Sequence, residues 1–425
     1  MTKFEYSDIN ETLYYEKLDN GLNVYIVPKP DYDKTFGIFT TQYGGLDNRF
    51  IPYGKNDFVE YPKGIAHFLE HKLFEEEDGI DASTHFLKYG ASSNAFTSFD
   101  RTSYLFSTTS NVKECTMYLL DFVQSPYFTD ENIKKECGII EQEIKMYLDE
   151  PESRLFWGTL KNLYKNNYVS TDLVGTVESI NKITKEMLYS CYETFYHPSN
   201  MNLFIIGNVD ISLIDDIKEN QSKKSFKEIK EIKREYATDE FIDYIKESSI
   251  KMDVLIPKVS LGVRFKHIYD NFQMQDIKLS ILCSILFGES SNLRMELMDK
   301  GIINDTFGHY SDFNKSASYL MIQGDSNKPD ELFNTLKDFV LDIPNKTIDD
   351  ESFECAKRAL IGQFMYILNS LESTAQNFAS CLFSGNNLYT IINDIKSMKK
   401  TDLDEVKDMF KDIIITKFEI FPDTI

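Results

Sequence analysis

The chain has 425 residues, which is too long for one ordinary hydrophobic core and predicts two or more domains. Its formal net charge of −22 argues against a nucleic-acid binder, which needs a basic face to neutralise phosphates, and also disfavours binding to anionic membrane surfaces. No run of about 18 apolar residues predicts a membrane-spanning helix. The first residues lack a secretory pattern, and the six cysteines are widely spaced without a Cys-x-x-Cys pair. These features predict a cytoplasmic protein with reduced thiols.

The amino-terminal part of the chain is predicted to form strands. Residues 12–50 contain a turn at Asp19-Asn20-Gly21 and alternating apolar residues after it. A loop then leads to a helix that begins at Gly64. The next predicted elements are a helix over 80–89, paired strands over 91–99 and 102–107, and a helix over 113–124.

The helix that begins at Gly64 contains His67-Phe68-Leu69-Glu70-His71. Positions i, i+3 and i+4 of a helix share one face, so both imidazoles and the carboxylate project together. Two imidazoles at this spacing can bind one zinc ion, and the carboxylate between them can deprotonate a water molecule. The order His-x-x-Glu-His is the inverted form of the commoner zinc-protease motif. The alternative is two surface or core histidines on an ordinary amphipathic helix.

A longer helix is predicted over Asp130–Asp149, and two of its glutamates share a face. Glu143 would complete a His, His and Glu ligand set, which leaves the fourth position of a catalytic zinc open. Glu136, two turns earlier, could hydrogen-bond the site or tune Glu70. Taken alone, however, a helical glutamate is usually a solvated salt-bridge partner. The apolar segment 138–144 favours the inward interpretation of Glu143, because an inward carboxylate would be costly without a cation.

The second half of the chain repeats features of the first. Interleaved lysine and glutamate around residues 210–244 predict a solvated connector between the halves. Beyond it, several short segments match first-half segments in the same order, at an offset of about 216 residues. This spacing predicts a duplicated domain. The second copy lacks the His-x-x-Glu-His motif: its equivalent, Ile281–Phe287, is apolar, and Gly362 falls where Glu143 would.

The inverted motif, the downstream helical glutamate and the inert second copy together resemble the pitrilysin/insulinase family of zinc peptidases. Within it, the chain looks most like the short, two-domain bacterial members related to mitochondrial processing peptidase. The resemblance implies an α+β fold of two homologous domains, each an antiparallel sheet flanked by helices, that form half of a clamshell. We expect a metal-bearing catalytic domain over 1–213, a charged connector over 214–245, and a degenerate domain without metal ligands over 246–425.

The resemblance also implies residue roles. One zinc ion per chain would be bound by His67, His71 and Glu143, with Glu70 as general base and Glu136 as the supporting acid. An edge strand would receive the substrate backbone, which makes physical sense because an exposed edge can add an extended peptide. This strand is the segment 92–97, and its substrate contacts would be Ser93, Asn94, Ala95 and Phe96. The alternative is an ordinary interior hairpin.

The chain departs from the family pattern in two places. The interval from His71 to Glu143 is slightly short, which the intervening loops can absorb. More important, relatives complete the site with an arginine and a tyrosine from the second half, whereas Leu297–Asp305 has Met298 at the arginine position and no tyrosine. Neither Arg294 nor Tyr310 matches the pattern. The missing pair predicts a related metal-free partner subunit in a heterodimer, with a homodimer or a lone enzyme as alternatives.

The predicted function is therefore a zinc-dependent endopeptidase for short or unstructured peptides, acting as the metal-bearing subunit of a dimer. The main alternative is a non-catalytic structural or partner-organising subunit of the same fold, and a third is a nonenzymatic metal-binding module. Intact ligands and an intact base favour the enzyme. The sequence does not indicate which peptide is cut.

Overall fold

The computed structural model describes residues 1–228, 231–236, 240–266 and 272–423. The strands are β1 (Thr2–Tyr6), β2 (Glu11–Lys17), β3 (Asn23–Pro28), β4 (Thr35–Thr41), β5 (Arg49–Phe50), β6 (Val59–Glu60), β7 (Ser92–Thr97), β8 (Thr102–Thr108), β9 (Met201–Gly207), β10 (Glu247–Met252), β11 (Lys258–Phe265), β12 (Gly308–Phe313), β13 (Ser318–Asp325) and β14 (Ile413–Pro422). The helices are α1 (Ile65–Leu73), α2 (Ala82–Lys88), α3 (Val112–Val123), α4 (Asp130–Asp149), α5 (Pro151–Leu163), α6 (Val177–Ile180), α7 (Lys185–Phe195), α8 (Leu213–Ser222), α9 (Phe272–Phe287), α10 (Asn292–Asp299), α11 (Pro329–Leu341), α12 (Asp350–Leu368), α13 (Leu371–Phe383), α14 (Leu388–Ser397) and α15 (Asp402–Met409).

The larger sheet has the strand order β1-β2-β3-β9-β4-β8-β7. Every residue of the inner strands β4 and β9 is buried, which requires cover on both faces of the sheet. Helices α3 and α13 both pack against β4 and supply part of that cover. Strand β7 lies at the edge of this sheet, beside β8, and α1 packs against both strands. The motif helix and the edge strand are therefore neighbours.

The smaller sheet repeats this arrangement with the order β10-β14-β11-β13-β12. Its order and strand directions match those of β3-β9-β4-β8-β7 in the larger sheet. The predicted fold class, with two homologous domains of sheet and helices, is confirmed. One detail was wrong: each sheet is mixed, because β9 runs parallel to β3 and β14 runs parallel to β10. A helical connection allows each of these late strands to return beside an early one in the same direction.

The described residues form two compact units, and both units are discontinuous in sequence. The first comprises residues 1–144, 173–236 and 366–389, and the second comprises 145–172, 237–365 and 390–425. In the second unit α5 packs against β11 and β14, while in the first unit α13 packs against β4 and β9. The charged segment after residue 213 begins with α8, where Ile217 is fully buried within the first unit. The domain limits derived from the sequence stay a prediction.

None of the helices in the described parts of the chain is both long and apolar enough to cross a lipid bilayer.

Candidate metal centre

The motif helix α1 is held in place by a tight backbone contact at its start. Gly64, which precedes the helix, has a φ of 85°, and a Cβ at this position would lie 2.6 Å from the carbonyl oxygen of Val174. Only glycine meets both requirements without strain. The helix itself is almost entirely buried, with Phe68 and Leu69 inaccessible to solvent. The side chains of His67 and Glu70 therefore project from a rigid support.

Helix α4 supplies the other carboxylates of the site. Its start is fixed by reciprocal hydrogen bonds, in which the Thr129 N–H donates to Asn132 Oδ1 and the Asn132 N–H donates to Thr129 Oγ1. Ile140 is buried on the inward face of the helix. Glu136 and Glu143, one turn on either side of this isoleucine, share its face and reach α1.

Two imidazoles and one carboxylate converge between these helices. One potential ligand atom from each of His67, His71 and Glu143 lies within 4.8 Å of the others. Glu143 Oε1 is 3.7 Å from His67 Nε2, and Glu143 Oε2 is 3.6 Å from His71 Nε2. Two ligand atoms about 2.1 Å from a tetrahedral zinc lie roughly 3.4 Å apart, so this donor set fits a zinc ion. Within the described residues it is the one such group of His, Cys, Asp and Glu.

Burial and neighbouring charges set the protonation of both histidines. Burial, together with the nearby His71, lowers the pKa of His67 to about 3, so its imidazole is neutral at pH 7. Burial also opposes a charge on His71, but the hydrogen bond with Glu136 and the charges of Glu70, Glu136 and Glu143 together raise its pKa. A neutral imidazole has a free lone pair on one ring nitrogen and can act as a metal ligand.

Glu136 contacts the ring nitrogen of His71 that faces away from Glu143. Its Oε1 lies 3.1 Å from His71 Nδ1, and its Oε2 lies 3.6 Å from Lys72 Nζ. Burial works to raise the pKa of Glu136, but the hydrogen bond to His71 and the charges of His71 and Lys72 lower it below its usual value. An ionised Glu136 that accepts the Nδ1 proton directs the Nε2 of His71 toward Glu143.

Glu70 is almost completely buried between α1 and the edge strand. Thr97 Oγ1 donates a hydrogen bond of 2.6 Å to Glu70 Oε2. Burial raises the pKa of Glu70 to about 7; the Thr97 hydrogen bond and His71 act in the opposite direction, and the charge of Glu143 raises it. A carboxyl group that titrates near neutrality is suited both to accept and to donate a proton.

The edge strand β7 runs beside this cluster. Ser93, Asn94 and Ala95 line a cavity of about 360 Å³ together with Glu70 and His71. The N–H of Ala95 donates a hydrogen bond of 2.9 Å to the side-chain oxygen Oδ1 of its neighbour Asn94. Phe96 is also part of β7 but does not line this cavity. The first three residues predicted to bind substrate thus lie next to the predicted base.

The second unit has no equivalent donor group among its described residues. The apolar segment Ile281–Phe287 lies inside α9, and its Cys283 is buried. In α10, Met298 is partly exposed, at the position where relatives were expected to have an arginine. Arg294 is occupied elsewhere, since its Nη1 donates to the carbonyl oxygen of Phe307 over 2.9 Å. Tyr310 lies on the edge strand β12 of the smaller sheet.

Two polar residues of this site were not assigned a role from the sequence. Thr97 holds the Glu70 carboxyl, and Lys72 lies fully buried beside Glu136. A lysine in a helix whose other residues outside the His-x-x-Glu-His positions are all apolar is the signal that could have identified Lys72, because a buried ammonium needs a partner. For Thr97 there was no comparable signal: the hydrogen bond depends on the tertiary packing of β7 against α1.

Comparison with known proteins identifies the family. The family model described as Insulinase (Peptidase family M16) matches residues 51–177, and the one described as Peptidase M16 inactive domain matches residues 182–360. The chain is 45% identical over 406 residues to YmfH of Bacillus subtilis (strain 168), which is described as an uncharacterized zinc protease; the match covers 95% of this chain and 94% of YmfH. It is also 25% identical over 352 residues to the zinc protease YmxG of the same bacterium, with 79% of this chain and 82% of YmxG covered.

Among solved structures, an M16-like peptidase from Alicyclobacillus acidocaldarius is 33% identical, with a TM-score of 0.91 over 97% of this chain and 99% of that one. A protease from Helicobacter pylori shares the fold at 21% identity, with a TM-score of 0.81 over 96% of this chain and 99% of that one. The region named as the inactive domain contains most of the second unit, where no described donor group was found. The chain belongs to the insulinase family of peptidases, family M16.

Proposed function

We propose that this chain is the metal-bearing subunit of a zinc-dependent endopeptidase that cleaves short or unstructured peptides. The observation that carries the proposal is the convergence of His67, His71 and Glu143 within 4.8 Å, beside the buried carboxyl of Glu70. A ligand set of two histidines and one glutamate leaves one position open, as catalytic zinc sites do and closed structural sites do not. The description of YmfH as a zinc protease supports the same conclusion.

The geometry supports the following proposed roles. His67, His71 and Glu143 would hold one zinc ion per chain, which when bound acts as a Lewis acid toward water and the peptide carbonyl. Glu70 accepts a proton from the attacking water, whose oxygen adds to the carbonyl carbon. As the C–N bond breaks, Glu70 delivers that proton to the leaving amine nitrogen. Glu136 keeps His71 in the tautomer and orientation that bind the metal.

The edge strand β7 is the proposed substrate site. A peptide that pairs with it would be held by main-chain hydrogen bonds, which depend little on the substrate's side chains. The peptide must be extended over several residues, and this favours short or unstructured chains over folded proteins. The adjacent cavity, which Phe74 and Ile139 also line, would receive the side chain nearest the bond that is cut. Ser93, Asn94, Ala95 and Phe96 remain the proposed contacts.

The second unit supports a partner subunit. Met298 stands where relatives were expected to have an arginine, and Arg294 is engaged with Phe307. We therefore propose that a related metal-free subunit supplies the missing arginine and tyrosine, which would stabilise the developing oxyanion. Co-purification from the native host would test this: recovery of a metal-free relative bearing that pair supports a heterodimer. Recovery of the chain alone as a dimer would replace the heterodimer with a homodimer.

The alternative function is a non-catalytic subunit that organises a partner. The observation favouring it is that the described residues of the second unit contain no group of three or more possible metal ligands. Burying a carboxyl group without a partner charge destabilises the fold. A non-catalytic subunit would gain nothing in return for burying Glu70 beside the three possible metal ligands, and this argues against the alternative.

The decisive experiment compares wild type with Glu70→Gln. We expect about one zinc per purified chain in both proteins, and hydrolysis of a quenched fluorescent peptide mixture by wild type alone or with its partner. Glu70→Gln should keep zinc and lose hydrolysis, because an amide cannot accept the proton. A chain that retains no zinc would refute the metal assignment, and undiminished cleavage by the variant would remove Glu70 as the base.

A further inference from the structure

Lys72 is a fully buried lysine that the proposed mechanism does not use. It follows His71 directly in α1, and its side chain has no exposure to solvent. A buried ammonium is strongly unfavourable unless carboxylates surround it. Two carboxylates do: Lys72 Nζ forms a close ion pair with Glu75 Oε2 and lies 3.6 Å from Glu136 Oε2. The pairing with Glu136 connects this lysine to the metal centre.

The two carboxylate oxygens of Glu136 contact two different residues, His71 and Lys72. Its Oε1 lies 3.1 Å from His71 Nδ1, while its Oε2 faces Lys72. A carboxylate held at both oxygens cannot rotate about its own axis without losing one of these contacts. The Nδ1 proton of His71 therefore has a fixed acceptor, and the ring presents its Nε2 toward Glu143 Oε2, 3.6 Å away.

We propose that Lys72 is a positioning residue, which acts through Glu136 to fix the tautomer and ring orientation of His71 for metal binding. A purely structural role would pair Lys72 with Glu75 only and leave the metal site independent of it. The two roles differ in a measurable way, because Glu75 contacts Lys72 without contacting His71 in any of the described polar interactions. Carboxylate partners of metal-binding histidines typically change metal affinity by about 10- to 100-fold when they are lost.

The inference rests on the proposed zinc site, so the test measures zinc affinity and not activity. Wild type, Lys72→Met and Glu75→Gln are titrated with zinc in competition with a chromophoric chelator. Methionine has a similar length to lysine and suits a buried position, whereas Glu75→Gln removes the other carboxylate and serves as the matched control. Lys72→Met keeps Glu136 but frees one of its oxygens, so we expect it to bind zinc about tenfold more weakly, at the low end of that range, and Glu75→Gln to stay close to wild type.

A second readout uses the zinc-free protein. In ¹⁵N-histidine spectra recorded at alkaline pH, where the ring is neutral, wild type should show His71 protonated at Nδ1, and Lys72→Met should show a mixture of the two tautomers. Lys72→Arg, which keeps the positive charge, should restore the wild-type pattern in part. A variant that binds zinc as tightly as wild type and leaves the His71 signal unchanged would overturn the inference. Equal losses of affinity in Lys72→Met and Glu75→Gln would overturn it as well.

Two further outcomes are distinguishable. If wild type binds no zinc, the proposed function fails, and the tautomer of His71 alone decides whether Lys72 positions that ring. If Lys72→Met does not fold, Glu136→Gln is compared with the double variant Lys72→Met/Glu136→Gln, which leaves no unpaired charge between these two positions. Equal zinc affinities in that pair support action through Glu136, whereas a further loss in the double variant contradicts it.

Discussion

Thr97 Oγ1 donates a 2.6 Å hydrogen bond to Glu70 Oε2, and this bond joins the edge strand proposed to hold the substrate to the proposed base. Thr97 lies in β7 and Glu70 lies in α1, so the bond connects two elements that are separated in the sequence. A peptide that paired with β7, as proposed, would thereby be placed in register with the carboxyl group proposed to transfer the proton. The hydrogen bond also opposes the burial that raises the pKa of Glu70.

Thr97→Val should impair hydrolysis without removing zinc. A hydrogen bond to a charged group contributes about 1.5–3 kcal/mol, so kcat/KM should fall roughly tenfold or more. Because the bond lowers the pKa of Glu70, its loss should move the acidic limb of the pH–rate profile to higher pH. Thr97→Ser keeps the hydroxyl and should retain both the rate and the profile. An unchanged profile in Thr97→Val would show that this hydroxyl does not act on Glu70.

Glu143→Gln should weaken zinc binding strongly and leave the fold intact. Its carboxylate lies 3.6–3.7 Å from both Nε2 atoms, and an amide is a much poorer zinc ligand. We expect zinc affinity to fall at least about 100-fold, measured by metal content after dialysis and by chelator competition.

Glu131→Gln is the matched control, since Glu131 is exposed in the first turn of the same helix. It should bind zinc like wild type. Retention of zinc by Glu143→Gln would mean that another residue supplies the third ligand.

The sequence was sufficient to predict the cluster because its signals are local. His67 and His71 lie on one helical turn, and Glu136 and Glu143 recur on one face of a helix whose predicted limits, Asp130–Asp149, match those observed. Periodicity of this kind is fixed by backbone geometry. The duplication was also visible, and the matching strand orders confirm the predicted pair of homologous domains.

What could not be predicted depends on how distant segments pack. The parallel pairs β3–β9 and β10–β14 join strands far apart in sequence, and no local pattern distinguishes them from antiparallel neighbours. Helix α5 belongs to the second unit although its neighbours in sequence belong to the first, and the reverse is true of α13. Long-range contacts decide this placement as well. The same holds for the contact of Lys72 with Glu136, which joins two helices.

Gly64→Ala should displace the motif helix. The new Cβ would lie 2.6 Å from the Val174 carbonyl oxygen, and the φ of 85° is itself unfavourable for alanine. We expect a loss of roughly 2–4 kcal/mol in the free energy of unfolding and weaker zinc binding, because His67 and Glu70 move with the helix. Urea unfolding and chelator competition measure the two effects.

Gly54→Ala is the control that distinguishes the cost of the steric contact with Val174 from the cost of a positive φ. Gly54 also has a positive φ, of 72°, but a Cβ there would meet nothing within 4 Å. This variant should lose only about 1 kcal/mol and keep wild-type zinc affinity. Equal destabilisation of the two variants would show that the approach to Val174 does not constrain the helix.

Asp276→Asn should stabilise the second unit in a pH-dependent way. Burial raises the pKa of Asp276 to about 6 from an ordinary 3.8, although Ser311 Oγ donates a 2.6 Å hydrogen bond to its Oδ1 and opposes the shift. The folded state therefore holds this proton more tightly than the unfolded state. Ionisation destabilises the fold progressively as the pH rises from about 4 to about 6, by roughly 2–3 kcal/mol in full.

Asparagine carries no charge at any pH and keeps the oxygen that accepts the hydrogen bond from Ser311. Wild type loses stability as Asp276 ionises and the variant does not, so the increase in unfolding free energy over wild type should be about 1 kcal/mol larger at pH 7.5 than at pH 5. Trp157, the single tryptophan, lies in α5 of the same unit and reports its urea unfolding by fluorescence. Asp338→Asn, an exposed change in α11 of that unit, should give no such pH dependence. A gain from Asp276→Asn that is equal at both pH values would mean that the Asp276 carboxyl group keeps its ordinary pKa in the folded protein, and that its burial is relieved by solvent or by a charge from another part of the chain.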